Sequence, residues 1–257
     1  GVKPKPATYL NLFLRIGEYN TSTVLRTHFE MGQGVTTGLT TLAAEELEAD
    51  WDQMRFEFAP ANAKFYNNLA FGPYQGTGGS TSIANSWEQM RKVGALARTM
   101  FVTAAAEKWE VPAEQITVDK GVFSHAASGN SATYGDLAAD AMKQPVPDDV
   151  PLKEPGQWKL IGQRLPRLDS PDKTNGKAVF SLDIRRPGML TAVVKRPEQF
   201  GATVASFDAT EAKKVRGVVD VVQIPSGVAV LAEDTWAAIK GRNALQVTWD
   251  TSKASTQ

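Results

Sequence analysis

The chain has 257 residues, and its 28 lysines and arginines balance its 28 aspartates and glutamates, so no overall field draws it to nucleic acid or to an anionic membrane surface. It contains no cysteine, which excludes disulfides, thiolate-bound metals and any iron–sulfur cluster held by this chain; such a centre belongs to a partner. The length allows one or two domains with a sizeable core, and no apolar run approaches the ~20 residues needed for a direct membrane span.

Residues 1–7 read as a short polar lead-in, of the kind that removal of a signal leaves behind. From Tyr9 to Ile16 apolar and polar residues alternate, which predicts a strand ending at Gly17, with residues 23–29 as its hairpin partner. A turn at Gly32-Gln33-Gly34 follows. Leu39, Leu42, Ala43 and Leu47 then predict a helix closing near Asp50, with an apolar stripe and an acidic outer face that includes Glu46. Met54–Phe58 reads as a strand, and residues 60–73 as a long loop with Phe65, Tyr66, Asn67, Asn68 and Phe71. A second glycine turn, Gln75 to Ser82, opens the longest predicted helix, 83–110, for which Ser80 or Ser82 is the expected cap. Its buried side carries Trp87, Met90 and Phe101, and the small group Gly94, Ala95 and Ala97 marks close packing. A hairpin at 116–124 and a helix at 134–142 complete this part.

Prolines at 145, 147, 151 and 155 mark a stiff, exposed connector, so the expected domains are 1–150 and 151–257. Residues 158–183 read as mostly extended. Strands at 189–195, 203–208, 218–224, 228–232 and 245–249, with helices at 210–215 and 235–241, predict a second, small α+β domain.

Each glycine turn stands directly before a helical pattern, where glycine opens backbone angles and the helix start offers unpaired N–H groups to an anion. One such turn alone is an ordinary strand-to-helix connection; two point to a large phosphate-bearing ligand. His28 and His125 are far apart and lack ligand spacing, so they read as structural or surface residues, and no metal ligand is assigned.

Glu30-Met31-Gly32-Gln33-Gly34 and Gln75 to Ser82 resemble the cofactor-binding segments of the xanthine dehydrogenase and aldehyde oxidase family of molybdenum hydroxylases. The likeness is to the N-terminal portion of the molybdopterin-binding subunit of the isoquinoline 1-oxidoreductase and membrane-bound aldehyde dehydrogenase type. It implies an α+β protein in which a molybdenum-cofactor-binding α/β segment precedes a small α/β hammerhead domain, whose entry signature residues 167–178 resemble. It also implies molybdenum in molybdopterin cytosine dinucleotide, held by Gly32, Gln33, Gly34, Thr77, Gly78, Gly79, Ser80, Thr81 and Ser82. Gln33 would bond the pterin or phosphate through its amide, Thr77, Ser80 and Ser82 would offer hydroxyls, and Gly78, Gly79 and Thr81 would offer N–H groups. Ser80, Thr81 and Ser82 are also default helix caps. The family's catalytic glutamate lies in a segment absent here, so no catalytic residue is expected in this chain.

The implied function is a component of an enzyme that oxidises aldehydes to carboxylic acids with water as oxygen donor, the alternative being hydroxylation of an aromatic N-heterocycle. A non-catalytic nucleotide-binding or scaffold subunit is the reading from another class. Implied partners are a second fragment or chain that completes the molybdenum subunit, a small subunit with 2Fe–2S clusters, a cytochrome c or other electron acceptor, and a small-molecule substrate. Trp87, Met90 and Phe101 are the expected contact surface. The implied location is periplasmic, with cytoplasmic as the alternative.

Overall fold

The computed structural model describes residues 8–9, 11–17 and 19–255; the lead-in expected at 1–7 and the last two residues of the tail lie outside the described residues. The chain divides into two compact units, 1–178 and 179–257, each mixing helices with small antiparallel or mixed sheets, an α+β architecture.

In the first unit the strand expected over 9–16 is a hairpin. Strand β1 (Thr8–Tyr9) pairs antiparallel with β2 (Leu14–Ile16). Asn11 turns the chain between them, its Oδ1 accepting from Phe13 N at 2.8 Å, a local side-chain turn that alternation conceals. Strand β3 (Ser22–Arg26) pairs antiparallel with β2, and all five of its residues are buried. From β3 the chain crosses through helix α1 (Val35–Leu47) to β4 (Met54–Phe58), which lies parallel to β3 and gives the sheet order β1-β2-β3-β4. The 60–73 loop contains one helical turn, α2 (Ala63–Tyr66), and leads to α3 (Thr81–Trp109), 29 residues long.

Helices α1 and α3 run side by side in the same direction, so their N-termini lie at one end. Gly38 faces Ile83 near that end, while further along a Cβ on Gly94 would come within 2.2 Å of the Ala43 carbonyl oxygen. Glycine at 94 is therefore required by the closeness of the two backbones, which outweighs its cost of about 1 kcal/mol in a helix interior. Behind α3 a meander of β5 (Ile116–Asp119), β6 (Val122–His125) and β7 (Asn130–Thr133) leads into α4 (Tyr134–Ala141), started by a reciprocal Thr133–Asp136 capping box. The first two of these strands fall on the hairpin expected at 116–124, and β7 extends it by a third strand that the sequence pattern does not predict. Phe101, Phe123 and Tyr134 pack edge-to-face or stacked with centroids 4.7 to 5.9 Å apart, and the Tyr134 hydroxyl donates to the Leu47 carbonyl.

The proline-rich stretch is not a boundary. Val150 and Lys153 are buried, and residues 150–161 form a strap across α1 within the first unit. The reason is electrostatic. Glu46, expected on an outer face, and its neighbour Glu45 are fully buried, and a buried carboxylate costs several kcal/mol unless it is paired and hydrogen-bonded. The strap supplies those partners: Lys153 Nζ reaches Glu45 at 2.6 Å, and Lys159, Leu160 and Ile161 N–H groups donate to the same carboxylate. Glu46 pairs with Arg91 at 2.6 Å and accepts from Lys153 N. Trp158 then packs on Trp87 at 5.8 Å. Residues 158–178 hold no strand; they contain turns and a short helix, α5 (Ser170–Thr174), begun by Pro171 in its first turn.

The second unit matches the strand pattern closely. Strands β8 (Thr191–Lys195), β10 (Val218–Ile224) and β11 (Gly227–Ala232) form one antiparallel sheet in the order β10-β11-β8, while β9 (Thr203–Asp208) pairs with β12 (Gln246–Asp250). Helices α6 (Thr210–Lys214) and α7 (Thr235–Ala244) flank them, and Ala212, Val221, Val228, Val230 and Leu245 form a core. Asp208 accepts from Thr210 N and Asp234 from Ala237 N, so acidic residues begin both helices.

Candidate cofactor-binding site

Both glycine turns lie at the shared N-terminal end of α1 and α3, and a direct bond joins them: Phe29 N donates to Thr77 Oγ1 at 2.8 Å. They nevertheless differ in one decisive respect.

The first turn is filled from within. Gly32 and Gly34 adopt positive φ of 96° and 91°, which glycine alone takes without strain, and this curls the turn round the Glu30 carboxylate. Glu30 Oε1 accepts from Gly32 N at 2.8 Å and Gly34 N at 3.0 Å, and Oε2 accepts from Thr36 N at 3.0 Å. The N–H groups expected to face a ligand are thus given to a side chain that is 4% exposed. Three hydrogen bonds to a charged acceptor are together on the order of 5 kcal/mol, which an external anion would have to replace to enter this turn. Gln33 folds onto the same loop, its Nε2 donating to Phe29 O and its Oε1 accepting from Met31 N.

Beside Glu30 stands a cluster that the sequence reading did not place here. Arg167 donates to Gly32 O at 2.9 Å and to Glu30 at 3.1 Å, and Lys173 reaches Asp169 at 2.6 Å. Burial alone would raise both carboxyls. For Glu30 the N–H groups of Thr36, Gly34 and Gly32 outweigh it and lower the pKa, and for Asp169 the bonds from Arg167 and Lys173 bring it down to about 2. Arg26 is buried, donates to His28 O at 2.8 Å, and lies 3.6 Å from the centre of the Phe58 ring. Burial lowers the pKa of His28 and keeps it neutral. His125 is held between Ser128 and Gln115. Among the described residues no group of three or more His, Asp or Glu side chains forms a metal cage, and no helix is long and apolar enough to cross a membrane.

The second turn is open. Gly79 and Ser80 both take positive φ, 58° and 55°, and Ser80 occupies the cap position of α3 without its side chain capping the helix, contrary to expectation. Among the described residues no protein oxygen accepts from the N–H groups of Gly79, Ser80, Ser82 or Ile83. Thr81 differs: its N–H and its hydroxyl both donate to Gly78 O, at 3.2 and 2.8 Å, so it closes the turn and its N–H does not face outward. What holds the turn in shape is Asn68. Buried to 1% exposure, Asn68 donates to Gly76 O at 3.0 Å and Thr81 Oγ1 at 2.9 Å, and accepts from Ala70 N and Asn85. An asparagine pair in a long loop was its only signal in the sequence.

A helix N-terminus carries about half a positive charge, and here that charge, N–H groups without a protein acceptor and the hydroxyls of Ser80 and Ser82 belong to one helix start. Gly79 has no side chain to obstruct an approaching group. Such a group of donors suits a phosphate. Around both turns lies an apolar rim of Phe29, Met31, Leu69, Phe71 and Tyr74, all exposed.

Residues 10–194 match the molybdopterin cofactor-binding domain family. The chain is similar to the beta subunit of isoquinoline 1-oxidoreductase from Brevundimonas diminuta, 34% identical, with 93% of this chain and 35% of that protein covered. A membrane-bound aldehyde dehydrogenase (pyrroloquinoline-quinone) of Gluconacetobacter polyoxogenes is 36% identical over 86% of this chain and 29% of its own length. A nicotinate dehydrogenase subunit of Pseudomonas putida is 29% identical over 93% of this chain and 20% of its own length. Among solved structures, quinoline 2-oxidoreductase from Pseudomonas putida 86 covers 51% of this chain and 16% of its own at 17% identity and a TM-score of 0.37, a likeness too slight to bear on the fold. The chain therefore spans about a third or less of the curated relatives it matches. With residues 10–194 matched and an open phosphate-ready turn inside that span, the chain belongs to the molybdopterin cofactor-binding domain family.

Proposed function

We propose that this chain is the part of a molybdenum hydroxylase subunit that grips the phosphates of molybdopterin cytosine dinucleotide, in an enzyme that oxidises aldehydes to carboxylic acids with water as oxygen donor. The open N-terminus of α3 within a molybdopterin cofactor-binding domain carries this reading. When bound, the cofactor supplies the metal centre for oxygen transfer and two-electron uptake. The chain's own part is positional. Gly79, Ser80 and Ser82 meet phosphate oxygens with N–H and hydroxyl groups, while the α3 dipole offsets their charge. Gln33 keeps one amide N–H for a neutral, pterin-like edge, because its other contacts close the turn. Glu30, buried and bonded on both oxygens, is a structural anion and not a base. The base belongs to polypeptide outside these residues.

A second reading, hydroxylation of an aromatic N-heterocycle, is favoured by the isoquinoline and nicotinate named in two relatives. The name of a third includes a quinone, but the family match supports molybdopterin.

Completion of the site requires the remainder of a molybdenum subunit, and electrons leave through 2Fe–2S clusters on a small subunit toward a cytochrome c or another acceptor, in the periplasm. The contact surface is not the one read from the sequence. Met90 and Phe101 are buried in the unit's own core and Trp87 packs on Trp158, so the apolar rim at the two turns takes their place. The decisive experiment is elemental and nucleotide analysis of the purified complex. One molybdenum and one cytosine nucleotide per chain, with turnover of aldehydes, is the expected result; turnover of isoquinoline or nicotinate alone selects the second reading, and absence of molybdenum rejects both.

A further inference from the structure

Arg167 lies 135 residues from Gly32 in sequence and touches the first turn with both arms of its guanidinium. One arm donates to the Gly32 carbonyl at 2.9 Å and another to Glu30 Oε1 at 3.1 Å. The opposite edge is held by Asp169, through Nε at 3.1 Å and a second N–H at 2.9 Å, and Asp169 is itself held by Lys173. The neighbouring Leu168 N donates to Thr37 Oγ1, which fastens this segment to α1. A planar fork clamped on one edge presents the other in a fixed direction. The two atoms it grips, the Glu30 carboxylate and the Gly32 carbonyl, are those that define the curl of the turn.

We infer that Arg167 is a positioning residue for the cofactor-binding end of the molecule. It touches no ligand in this account; it fixes the turn bearing Gln33, and through the Phe29 N to Thr77 Oγ1 bond it sets that turn against the open one at α3. The inference rests on the reading that the two turns hold the cofactor. A plain surface ion pair is worth little and is replaced by any cation. A directional clamp is not: lysine at 167 keeps the charge but loses the fork, so Arg167→Lys should fail to rescue.

Hydrogen exchange on the full chain, with cofactor retention in the assembled complex, tests this. In Arg167→Met and Arg167→Lys, exchange at Gly32, Gly34 and Thr36 should quicken by roughly tenfold or more as the bonds to Glu30 loosen, while the β5–β7 amides keep their rates. Both variants should lose cytosine nucleotide on dilution faster than the parent. Asp169→Asn, which leaves the arginine but frees its plane, should show a smaller form of both effects and serves where Arg167→Met fails to fold. Unchanged exchange at 32–36 would overturn the inference and leave the cofactor assignment untouched. Faster exchange with full cofactor retention would instead overturn the assignment of these turns to the cofactor, and the inference with it. Full rescue by lysine would reduce Arg167 to a charge and refute the clamp.

Discussion

The two glycine turns occupy equivalent places, at the N-termini of helices that run side by side, yet one is filled and the other open. The first contains its own anion: Glu30 lies four residues before the Gly34 cap and takes three N–H groups. The stretch Gln75 to Ser82 contains no carboxylate, and the amides of Gly79, Ser80, Ser82 and Ile83 have no protein acceptor among the described residues. A glycine turn at a helix start is therefore not an anion site by virtue of its glycines. Whether the segment carries an acid that can fold back onto its own amides decides the matter. The filled turn gives its amides to its own glutamate, and the open one leaves four without a protein acceptor.

Removing the internal anion should produce the largest effect. Glu30→Ala leaves three amides without their charged acceptor, while Arg167 keeps Asp169 and the Gly32 carbonyl, and is expected to cost about 3 kcal/mol in urea unfolding, given what hydrogen bonds to a charged group contribute. A loss below about 1 kcal/mol would mean that the turn does not depend on its own glutamate.

Acid should produce the next largest effect. The folded pKa of Asp169, about 2, lies below its ordinary value of 3.8, and that of Glu30 is lowered as well. Depressed carboxylates stabilise the fold above their unfolded pKa and lose that contribution as pH falls through the folded one. Asp169 should therefore contribute about 2 kcal/mol at neutral pH, lost between roughly pH 4 and pH 2, and Asp169→Asn should flatten this part of the stability profile.

The smallest effect on stability should come from the open turn. At Gly79, φ is 58° and a Cβ would meet nothing closer than Thr81 Cγ2 at 3.7 Å, so Gly79→Val suffers only the left-handed strain, about 1–2 kcal/mol. Its branched side chain would nevertheless stand where a phosphate approaches. The assembled complex should lose its molybdenum and cytosine nucleotide with little loss of stability, whereas Glu30→Ala should lose both together as its turn loosens. Stoichiometric cofactor in Gly79→Val would remove the open turn from the site.

Local pattern made much of this legible in advance. Strand β4 falls at Met54–Phe58 as read, α3 and the strands of the second unit lie within a few residues of their predicted spans, and the glycines at 32, 34 and 79 do adopt the left-handed backbone that their positions suggested. What could not be read depends on distant partners. Glu45 and Glu46 look like a solvated face because Lys153 and the amides of 159–161, which bury them, lie more than a hundred residues away. The same separation hid Arg167 and moved the unit boundary from the prolines to Ala178. Asn11 broke the first strand by a two-residue hydrogen bond that no periodicity records.

Hydrogen exchange of the assembled complex, loaded with cofactor and stripped of it, tests the contrast between the turns most directly. The amides of Gly79, Ser80, Ser82 and Ile83 should exchange slowly only when cofactor is present, and those of Gly32, Gly34 and Thr36 equally slowly in both forms, since Glu30 never leaves them. Protection at 32–36 that appears only with cofactor, with no change at 79–83, would contradict the account.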